Sequence, residues 1–560
     1  MTTKLADYLR IALYAVLIGL VFVSFQLWDK DHPKPTTTSS SVNTTEANIP
    51  TNTIPQLNNT ATETAPVTTR AIPTTESTDH LIRVKTDVFE IEINALGGNI
   101  VQVKLPKYPE ALHSTAPFLL LNNLPDTRYL AESGLLGNEG PDSAKGQALY
   151  TAEKTDYTLS EDQNELQVKL HWQNSDGLQI NKIFTFKRNN YEVGLTYQIE
   201  NRSAKPWEGN LYLQLIRKNT PPASTQGFAN FTTYFGGAIS SPEKLFQKVT
   251  FKQMTEKNID QTITGGWAAM IQHYFVSAWV PESTATSRYF SRSMGDGLYS
   301  LGLLGPKLTA QSGQLIETHA KFYAGPAVTN TLATVAPGLQ LTIDYGWFWF
   351  ISIIIFWLMQ HIYDIVGNWG WSIVIVTLLI KLAFYHLSAK SYRSMSAMKK
   401  LQPRLAALKE RYGDDKQRFT QETLALYKKE KVNPMSGCLP ILVQIPVFIG
   451  LYWVLIESVQ LRQAPFILWI HDLSTKDPYY ILPVLMGISM FLQQRLNPPP
   501  PDPMQAKIMM MMPIIFTVMF LNFPAGLMVY WLVNNVLSFL QQWFIMHRLD
   551  KAEKVSKDRK

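Results

Sequence analysis

The sequence predicts a multi-domain membrane protein with six transmembrane α-helices, a large antiparallel β-sandwich outside the cytoplasm and a cytoplasmic helical hairpin. Long apolar runs lie in 1–28 and 345–546, whereas 30–340 is polar. Apolar and polar residues alternate through much of this polar part, as in strands with one solvated face. The net charge of +7 is concentrated in 390–431 and 548–560. Such clustering indicates how the chain is oriented in a membrane rather than a nucleic-acid surface.

The first element is a charge-free apolar run at 11–28, which has about the ~20 residues that a transmembrane helix needs. Basic residues precede it and no small-residue cleavage site follows, so 1–28 is interpreted as an uncleaved anchor with a cytoplasmic N-terminus. Residues 29–79 are rich in Thr, Ser, Asn and Pro. Because they hold few apolar side chains to offset the entropy of ordering, they are predicted to form a flexible linker.

Residues 80–325 are predicted to form the β-sandwich. Stretches such as VFEIEIN and YEVGLTYQIE alternate apolar and polar side chains, and turn sequences such as LGG and NSDG separate them. Many short strands of this kind predict two packed antiparallel sheets. The histidines of this region show no acid–base or metal-binding spacing, so no catalytic site is expected there. They are His113, His171, His273 and His319.

Residues 326–364 are predicted to form an amphipathic segment at the membrane interface. Four apolar side chains are spaced to line one face of a helix lying on the bilayer, with a break at Pro337-Gly338. They are Leu332, Val335, Leu339 and Leu341. The apolar run that follows is broken by Gln360, His361 and Asp364, which are poorly suited to the middle of a bilayer. It is therefore predicted to be interfacial rather than a full span.

The second span is predicted at 365–387, and four further spans lie within 437–546. Between them, 388–436 is rich in Lys and Arg, as is the tail at 547–560, whereas the loop at 458–478 holds only two such residues. Positive charge favours the cytoplasmic side of a membrane. The segment between the spans and both termini are therefore predicted to lie in the cytoplasm, and the β-sandwich outside it.

Segment 388–436 has the apolar spacing of two amphipathic helices, separated by the turn sequence YGDD at 412–415. Pro403 is predicted to kink or start the first helix, and Asp414 or Asp415 to cap the second. Two interpretations of this basic hairpin stay open. It is either a solvated face that only reflects orientation, or a docking surface for RNA, anionic lipid or nascent chains. The candidate docking residues are Arg393, Lys399, Lys400 and Arg404.

The predicted spans contain two polar stripes. Thr377 and Lys381 share one face of the second span, and four-residue spacing places Tyr530, Asn534 and Ser538 on one face of the last. A cation within a span costs about 2.5–3.5 kcal/mol on insertion scales and is by default a functional residue. Three interpretations stay open: the cation snorkels to the headgroups, the stripes form interhelical hydrogen bonds, or they line a hydrated cavity. The lack of an acidic residue at mid-span favours the cavity.

Several kinds of chemistry have no signature in the sequence. The single cysteine, Cys438, leaves no disulfide framework or thiolate metal cluster. There is no Walker A, H-E-x-x-H or C-x-x-C motif, so neither nucleotide hydrolysis nor a metal or other cofactor is expected. A solute carrier or channel stays open as an alternative, although no inverted repeat is visible among the spans. A sugar-binding or epimerising enzyme on a membrane anchor is a third class, for which six spans are more than an anchor needs.

Four strings in the membrane part are long and distinctive: VGNWGWSI, LQPRLAALKERYGDDKQRFTQE, KVNPMSGCLPILVQIPVF and FPAGLMVYWLVNN. With them the chain resembles the YidC/Oxa/Alb family of membrane insertases, and in particular its long Gram-negative bacterial members. The resemblance implies a periplasmic β-sandwich similar to sugar mutarotases, an amphipathic linker helix, and a five-helix core around a hydrophilic groove open to cytoplasm and lipid. Members of the family usually have Arg where this chain has Lys381, and often Tyr where it has Trp531.

This resemblance implies an insertase and chaperone of the bacterial inner membrane that is not an enzyme and works without nucleotide hydrolysis. The implied groove residues are Lys381, Thr377, Gln444, Tyr530, Trp531, Asn534 and Ser538. The implied exit path of the substrate into lipid is formed by Ile445, Pro446 and Phe448. The implied partners are nascent membrane proteins, the SecYEG translocon with accessory Sec proteins, the ribosome and signal recognition pathway, and membrane lipids. DNA is not among them.

Overall fold

The computed structural model describes residues 55, 80–143, 146–221, 233–412, 415–430, 432–433, 439–497 and 503–558. The predicted anchor at 1–28 and, apart from residue 55, the predicted linker at 29–79 lie outside the described residues. The described chain has two parts. Strands dominate 80–345, here called the β-domain, and helices dominate from residue 349 onward, here called the helical region.

The strands of the β-domain follow the alternation in the sequence. In chain order they are β1 (Leu81–Lys85), β2 (Glu90–Asn94), β3 (Asn99–Pro109), β4 (Pro117–Leu121), β5 (Tyr129–Gly137), β6 (Asp142–Ser143), β7 (Gly146–Gln147), β8 (Thr151–Ala152), β9 (Asp156–Thr158), β10 (Glu165–Gln173), β11 (Leu178–Lys187), β12 (Glu192–Asn201), β13 (Trp207–Lys218), β14 (Phe235–Ser240), β15 (Gln247–Val249), β16 (Asp260–Thr264), β17 (Trp267–Gln272), β18 (Phe275–Pro281), β19 (Thr286–Gly295), β20 (Leu298–Ala310) and β21 (Leu315–Pro326). In β11 and β12, buried residues alternate with more exposed ones, and cross-strand pairs such as Ile180 with Ile199 lie on the buried face. One face of this sheet is therefore dry and the other meets solvent.

The described strands form two sheets. The 12-stranded sheet has the order β16-β19-β20-β13-β5-β3-β2-β1-β9, with β4, β6 and β7 attached at its side. The 9-stranded sheet has the order β15-β14-β17-β18-β21-β12-β11-β10-β8. The pairs β1–β9 and β5–β6 are parallel, and the other described pairs are antiparallel. The predicted large antiparallel β-sandwich is thus confirmed, with a shared core that includes Trp267, Trp279 and Tyr197.

The described helices lie in both parts of the chain: two short ones in the β-domain, and the others in a bundle that follows it. In chain order they are α1 (Phe251–Glu256), α2 (Thr329–Val335), α3 (Trp349–Val366), α4 (Trp369–Ala383), α5 (Tyr385–Lys400), α6 (Gln402–Tyr412), α7 (Lys416–Lys429), α8 (Leu439–Glu457), α9 (Ile481–Leu496), α10 (Pro503–Met519) and α11 (Ala525–Asp558). Helices α1 and α2 belong to the β-domain. Helix α11 contacts α4, α5, α8 and α9, while α3 contacts α4 and α8. The chain after the sandwich is thus helical, as predicted, with α11 at the centre of the bundle.

The apolar face predicted to lie on the bilayer folds back onto the β-domain instead. Leu332, Val335 and Leu339 are buried in the core that the sandwich shares with this segment, whereas Leu341 is exposed. The prediction is therefore wrong for three of its four residues. At the break, Gly338 takes a left-handed backbone with φ of 81°, which glycine adopts without strain. This turn directs the apolar side chains toward the strands rather than toward lipid.

The helices differ from the predicted six spans. Among the described residues, α3 alone is long and apolar enough to cross a membrane, and α4 with α5 gives a second span if this bent pair is counted as one. Three other apolar stretches are shorter: Leu442–Glu457, Ile481–Leu496 and Ala506–Asn522. Of these, α9 has 16 residues in full, which at 1.5 Å per residue reach about 24 Å, less than a hydrocarbon core of ~30 Å. The six-span count is therefore not confirmed.

The predicted break in the apolar run before the second span does not occur. Helix α3 occupies most of 346–364 as one continuous helix of 18 residues. Its polar side chains are satisfied within its own last turns: Gln360 Nε2 donates to Asp364 Oδ1 at 3.0 Å, and His361 Nδ1 lies 2.8 Å from the Trp357 carbonyl. Because these groups bond along the helix, they do not interrupt it. By length and composition, this segment suits a span.

The predicted second span, 365–387, is in contrast not a single straight helix. Helices α4 and α5 meet at Phe384 with a bend of 67°. Helix α5 then continues to Lys400, well inside the predicted hairpin, and α6 begins directly after Leu401. Pro403 lies in the first turn of α6, where its missing N–H needs no partner. The first hairpin helix is therefore divided in two, and Pro403 starts the second part.

Helices α6 and α7 form an antiparallel pair. Arg404 Nη1, near the start of α6, lies 2.5 Å from Glu430 Oε1, just past the end of α7. Asp415 caps α7 by accepting from the backbone N–H of Arg418 at 3.0 Å, the role predicted for Asp414 or Asp415. The chain ends in α11, which runs unbroken from Ala525 through much of the predicted basic tail.

Candidate functional site

A pocket with about 30 Å³ of space for water lies between α4, α5, α8 and α11, beside the bend that joins α4 to α5. Its lining residues are Thr377, Ile380, Lys381, Phe384, Leu387, Ser388, Val443, Gln444, Val447, Tyr530 and Asn534. Apolar side chains make up about half of this wall, and the rest is one ammonium, three hydroxyls and two amides. The pocket is therefore amphipathic.

Lys381 is a partly buried residue in the last turn of α4. Its Nζ donates to Ser538 Oγ at 2.6 Å, and Ser538 in turn donates to the Asn534 carbonyl at 2.6 Å. Within the described part of the chain, no carboxylate forms an ion pair with this ammonium. A neutral hydroxyl satisfies one of the three donors of an ammonium but leaves its charge uncompensated.

The structure brings the two predicted polar stripes together. Thr377 and Lys381 line the pocket from α4, and Tyr530 and Asn534 line it from α11. Ser538, one turn further along α11, reaches the ammonium through its hydroxyl. The four-residue spacing in the sequence was the correct signal, because residues at i and i+4 lie on the same side of a helix.

Two of the predicted polar residues have partners that limit what they can offer a ligand. Thr377 Oγ1 donates to the Ile373 carbonyl at 2.7 Å, so its hydroxyl hydrogen is used within α4. Gln444 Nε2 lies 3.5 Å from the Tyr530 hydroxyl, a long contact that links α8 to α11. A bound segment could displace the second contact at little cost, but not the first.

Trp531 does not line the pocket, contrary to its predicted place in the groove. It follows Tyr530 by one residue, a rotation of about 100° around the helix, so it points to a different neighbour. Its ring is 4.7 Å from that of Phe448 in an edge-on arrangement and 5.0 Å from that of Phe520. Trp531 therefore belongs to an aromatic cluster beside the pocket rather than to its wall.

The predicted exit residues face away from the pocket wall of α8. Gln444 lines the pocket, whereas the next residue, Ile445, is 46% exposed on the outside of the helix. Pro446 lies inside α8 and is half-buried, and Phe448 packs against Trp531. A segment that leaves the pocket past α8 would move from the side of the helix that carries Gln444 to the side that carries Ile445.

The predicted docking residues are spread over α5 and α6. Arg393, Lys399 and Lys400 are exposed on α5. Arg404 is also exposed, but its guanidinium is paired with Glu430. Exposed ion pairs of this kind contribute roughly 0–1 kcal/mol and partly cancel the charge that a partner would meet.

Sequence reasoning missed the part of the site that lies beyond the bend. Phe384 and Ser388 line the pocket at three and seven residues after Lys381, on the helical face where they would be expected. Tyr392, also buried, is a hydrogen-bond partner of Ser538. The signal was the same spacing, but the predicted span, 365–387, ended before Ser388 and Tyr392, and Phe384 within it was not selected as a site residue.

The lining residues of the pocket offer groups that suit the binding of a ligand. Among the eleven lining residues there is no His, Cys, Asp or Glu that could act as a general base or a metal ligand. The described residues also contain no group of three or more such side chains placed to hold a metal ion. What the pocket offers is a positive charge, hydrogen-bonding groups and apolar surface, which together suit a polar peptide segment.

Known proteins match the chain over nearly its whole length. The family model for the YidC periplasmic domain matches residues 81–358, and that for the 60Kd inner membrane protein matches 361–553. The chain is 47% identical over 558 residues to the membrane protein insertase YidC of Pseudomonas putida strain F1, which covers 98% of this chain and 99% of that protein. It is 49% identical over 485 residues to the membrane protein insertase YidC of Stutzerimonas stutzeri strain A1501, with 86% and 87% covered.

Among solved structures, a crystal structure of an active YidC insertase is similar at 18% identity and a TM-score of 0.38, covering 83% of this chain and 92% of that one. The evolutionary relationship is shown by the sequence identities and by the two matching domains. The chain belongs to the YidC family of membrane protein insertases.

Proposed function

We propose that the protein inserts nascent membrane proteins by receiving a polar stretch of the substrate in the pocket around Lys381. The ammonium is the observation that carries this proposal. It lies among four helices, donates to one neutral hydroxyl, and has no carboxylate partner among the described side chains. An acidic side chain of the substrate would supply that counter-charge. At 4 Å and an effective dielectric constant of ~20, the attraction is about 4 kcal/mol before desolvation.

A second contribution is the shorter apolar distance beside the pocket. Helix α9 has 16 residues, Ile481–Leu496, and so reaches about 24 Å, against ~30 Å for a typical hydrocarbon core. A bilayer thins next to short spans because this relieves the mismatch. A polar tail that rests in the pocket would then have less hydrocarbon to cross.

Burial of the substrate's apolar segment supplies the free energy in this mechanism. The segment would leave past Ile445, Pro446 and Phe448 and enter lipid. Each CH₂ that moves from water into an apolar environment contributes about 0.8 kcal/mol. A single charged residue costs about 2.5–3.5 kcal/mol on insertion scales, so an apolar span offsets several such charges. Nucleotide hydrolysis is not needed.

The proposed topology has six spans, with both termini and the α6–α7 pair in the cytoplasm and the β-domain in the periplasm. The support is the concentration of Lys and Arg in 388–436 and 547–560. In this orientation the exposed Arg393, Lys399 and Lys400 face the cytoplasm. There they would meet the ribosome or the signal recognition pathway, while SecYEG would be a partner in the membrane.

The test compares two substrates in reconstituted vesicles, with the same span but either acidic or neutral tails. We expect Lys381→Ala to reduce insertion of the acidic substrate by at least about tenfold more than that of the neutral one. A tenfold effect corresponds to about 1.4 kcal/mol, which is about a third of the attraction between the ammonium and a carboxylate before desolvation. The matched control is Lys390→Ala, which removes an exposed cation from α5 and should leave the ratio unchanged. Equal losses with both tails would refute the role of the ammonium.

A further inference from the structure

One loop contacts the starts of both helices that carry the polar stripes, α4 and α11. Residues 458–480, here called the α8–α9 loop, connect the end of α8 to the start of α9. The loop also contacts the β-domain, where Arg462 Nη2 donates to the Pro109 carbonyl at 2.7 Å. Its contacts with α4 and α11 are at the first turn of each helix.

At α4, Asn368 connects the loop to the helix in two ways. Its Oδ1 accepts from the backbone N–H of Trp371 at 3.1 Å and so caps α4. Its Nδ2 lies 3.4 Å from the Pro465 carbonyl and 3.3 Å from the Phe466 carbonyl. Gly370 is in such close contact with the loop that a Cβ there would lie 2.0 Å from Phe466 Cδ2. The loop is therefore seated directly on the first turn of α4.

At α11, the same loop satisfies backbone donors that the helix itself cannot. Ala525 N donates to the Thr475 carbonyl at 2.6 Å, and Gly526 N donates to the Leu473 carbonyl at 2.9 Å. A Cβ at Gly526 would lie 2.9 Å from Leu455 Cδ2 and 3.1 Å from that same Leu473 oxygen. The start of α11 is therefore also in contact with the loop, although a Cβ there would meet its neighbours less closely than one at Gly370 would.

The two anchored helices reach the pocket over similar lengths. Lys381 lies 12 residues after Trp369, the first residue of α4 (381 − 369), and Ser538 lies 13 residues after Ala525, the first residue of α11 (538 − 525). At 1.5 Å per residue, these separations are about 18 and 20 Å. Both helices begin at the loop, so the loop fixes the start of α4 relative to the start of α11.

We propose that the α8–α9 loop is a positioning element for insertion, which holds the starts of α4 and α11 at one level so that the Lys381 ammonium and the Ser538 hydroxyl meet in the pocket. Asn368, Gly370 and Phe466 are its positioning residues. The relative position of α4 and α11 is inferred from the contacts of the loop alone. Its effect on insertion rests on the proposed function of the ammonium.

The test measures the relative position of α4 and α11 by cross-linking. Full-length protein in membranes carries Lys381→Cys and Ser538→Cys in a Cys438→Ser background, and is treated with short and long bifunctional thiol reagents. Gly370→Ala should reduce the short-reagent yield by at least about threefold while the long-reagent yield is retained, because displacements near 1 Å have large effects on such contacts. The added methyl must push either Phe466 or α4 aside.

Two further variants separate positioning from loss of folding. Asn368→Asp keeps the capping oxygen but replaces the donor that faces two carbonyls, and it should reduce the short-reagent yield without adding an atom. Gly370→Ala combined with Phe466→Gly removes all three atoms that the methyl would meet, and it should restore the yield. If Gly370→Ala does not accumulate in membranes, the yield of Asn368→Asp decides.

The control is Gly487→Ala, which creates a clash with one side-chain atom elsewhere in the bundle, whereas a Cβ at Gly370 meets three atoms of Phe466 within 2.7 Å. A Cβ at Gly487 would lie 2.0 Å from Thr517 Oγ1, between α9 and α10. This variant should leave the short-reagent yield between positions 381 and 538 unchanged. The proposal is overturned if Asn368→Asp leaves that yield unchanged, or if Gly487→Ala lowers it as much as Gly370→Ala does.

A functional measurement distinguishes failure of this proposal from failure of the proposed function. In a chain with Lys381 and Ser538 intact, Gly370→Ala should lower the ratio of acidic-tailed to neutral-tailed insertion, whereas a purely structural defect lowers both equally. A shifted cross-link with an unchanged ratio would support positioning by the loop and count against the role of the ammonium.

Discussion

Removing the Ser538 hydroxyl distinguishes a hydrated pocket from a dry helix interface. The hydroxyl accepts from Lys381 Nζ at 2.6 Å. In a dry interface, Ser538→Ala would leave the ammonium without this partner, at a cost of about 1.5–3 kcal/mol, or about 10- to 150-fold in the folding equilibrium. In a hydrated pocket, water would replace the hydroxyl, and the cost would fall to about 1 kcal/mol or less. We expect the smaller value, because the polar pocket has about 30 Å³ of space that water can occupy.

The measurement is the free energy of unfolding of the helical region in mixed micelles. A fluorophore on a cysteine at the exposed position of Val536 reports on α11 without touching the pocket. Ser538→Thr keeps a hydroxyl and serves as the matched variant. A loss of about 2 kcal/mol or more in Ser538→Ala, with little loss in Ser538→Thr, would mean that the pocket is dry. The proposed entry of a polar segment would then be refuted.

The remaining predictions concern the β-domain. His273 Nε2 lies 2.9 Å from the Ile456 carbonyl in α8, and burial lowers the pKa of this imidazole from 6.5 to about 4. When the β-domain is separated from α8, the imidazole is protonated below about pH 6.5, whereas in the contact it stays neutral down to about pH 4. The contact between the β-domain and α8 should therefore be strongest above pH 6.5 and weaken as the pH falls toward 4. The distance between spin labels at the exposed Leu112 and Leu468 would measure this contact. A distance that does not change with pH would contradict the reasoning, and so would a pH response that persists in His273→Asn. Deleting much of 80–320 should leave insertion largely working, because no lining residue of the pocket comes from the β-domain. Insertion assays at matched membrane levels check this, and complete loss of insertion would show that the domain takes part.

Strands with one solvated face could be predicted from sequence better than strands buried on both faces. Strand β12 alternates because one of its faces meets solvent. Strand β5 is buried on both faces, so its residues are under no pressure to alternate and the period of two disappears. Its pairing also joins distant parts of the chain, as where Ser133 lies opposite Leu213. Such contacts depend on the whole fold and leave no local signal.

In the helical region, spacing predicts which residues share a face but not the direction of that face. Tyr530 and Asn534 line the pocket, while Trp531, one position away, faces an aromatic cluster. The role of the α8–α9 loop was also not visible in the sequence. Its contacts with α4 and α11 use carbonyls such as those of Pro465 and Leu473, and every residue type has a carbonyl.

The lysine at position 381 suits a pocket whose ligands vary. An ammonium is a compact point charge with three donors, and the structure shows Ser538 accepting from one of them. A guanidinium in the same place would present five donors in a rigid fork, and a single hydroxyl would satisfy few of them. The fork favours one geometry of carboxylate, whereas a point charge attracts an acidic group from many directions. Since the acidic residues of different membrane proteins lie at different distances from their spans, selectivity must come from the sign and depth of the charge. Under the proposed function, that depth is the quantity that the α8–α9 loop would control, and recognition would then depend on where the ammonium is held more than on the shape of the pocket around it.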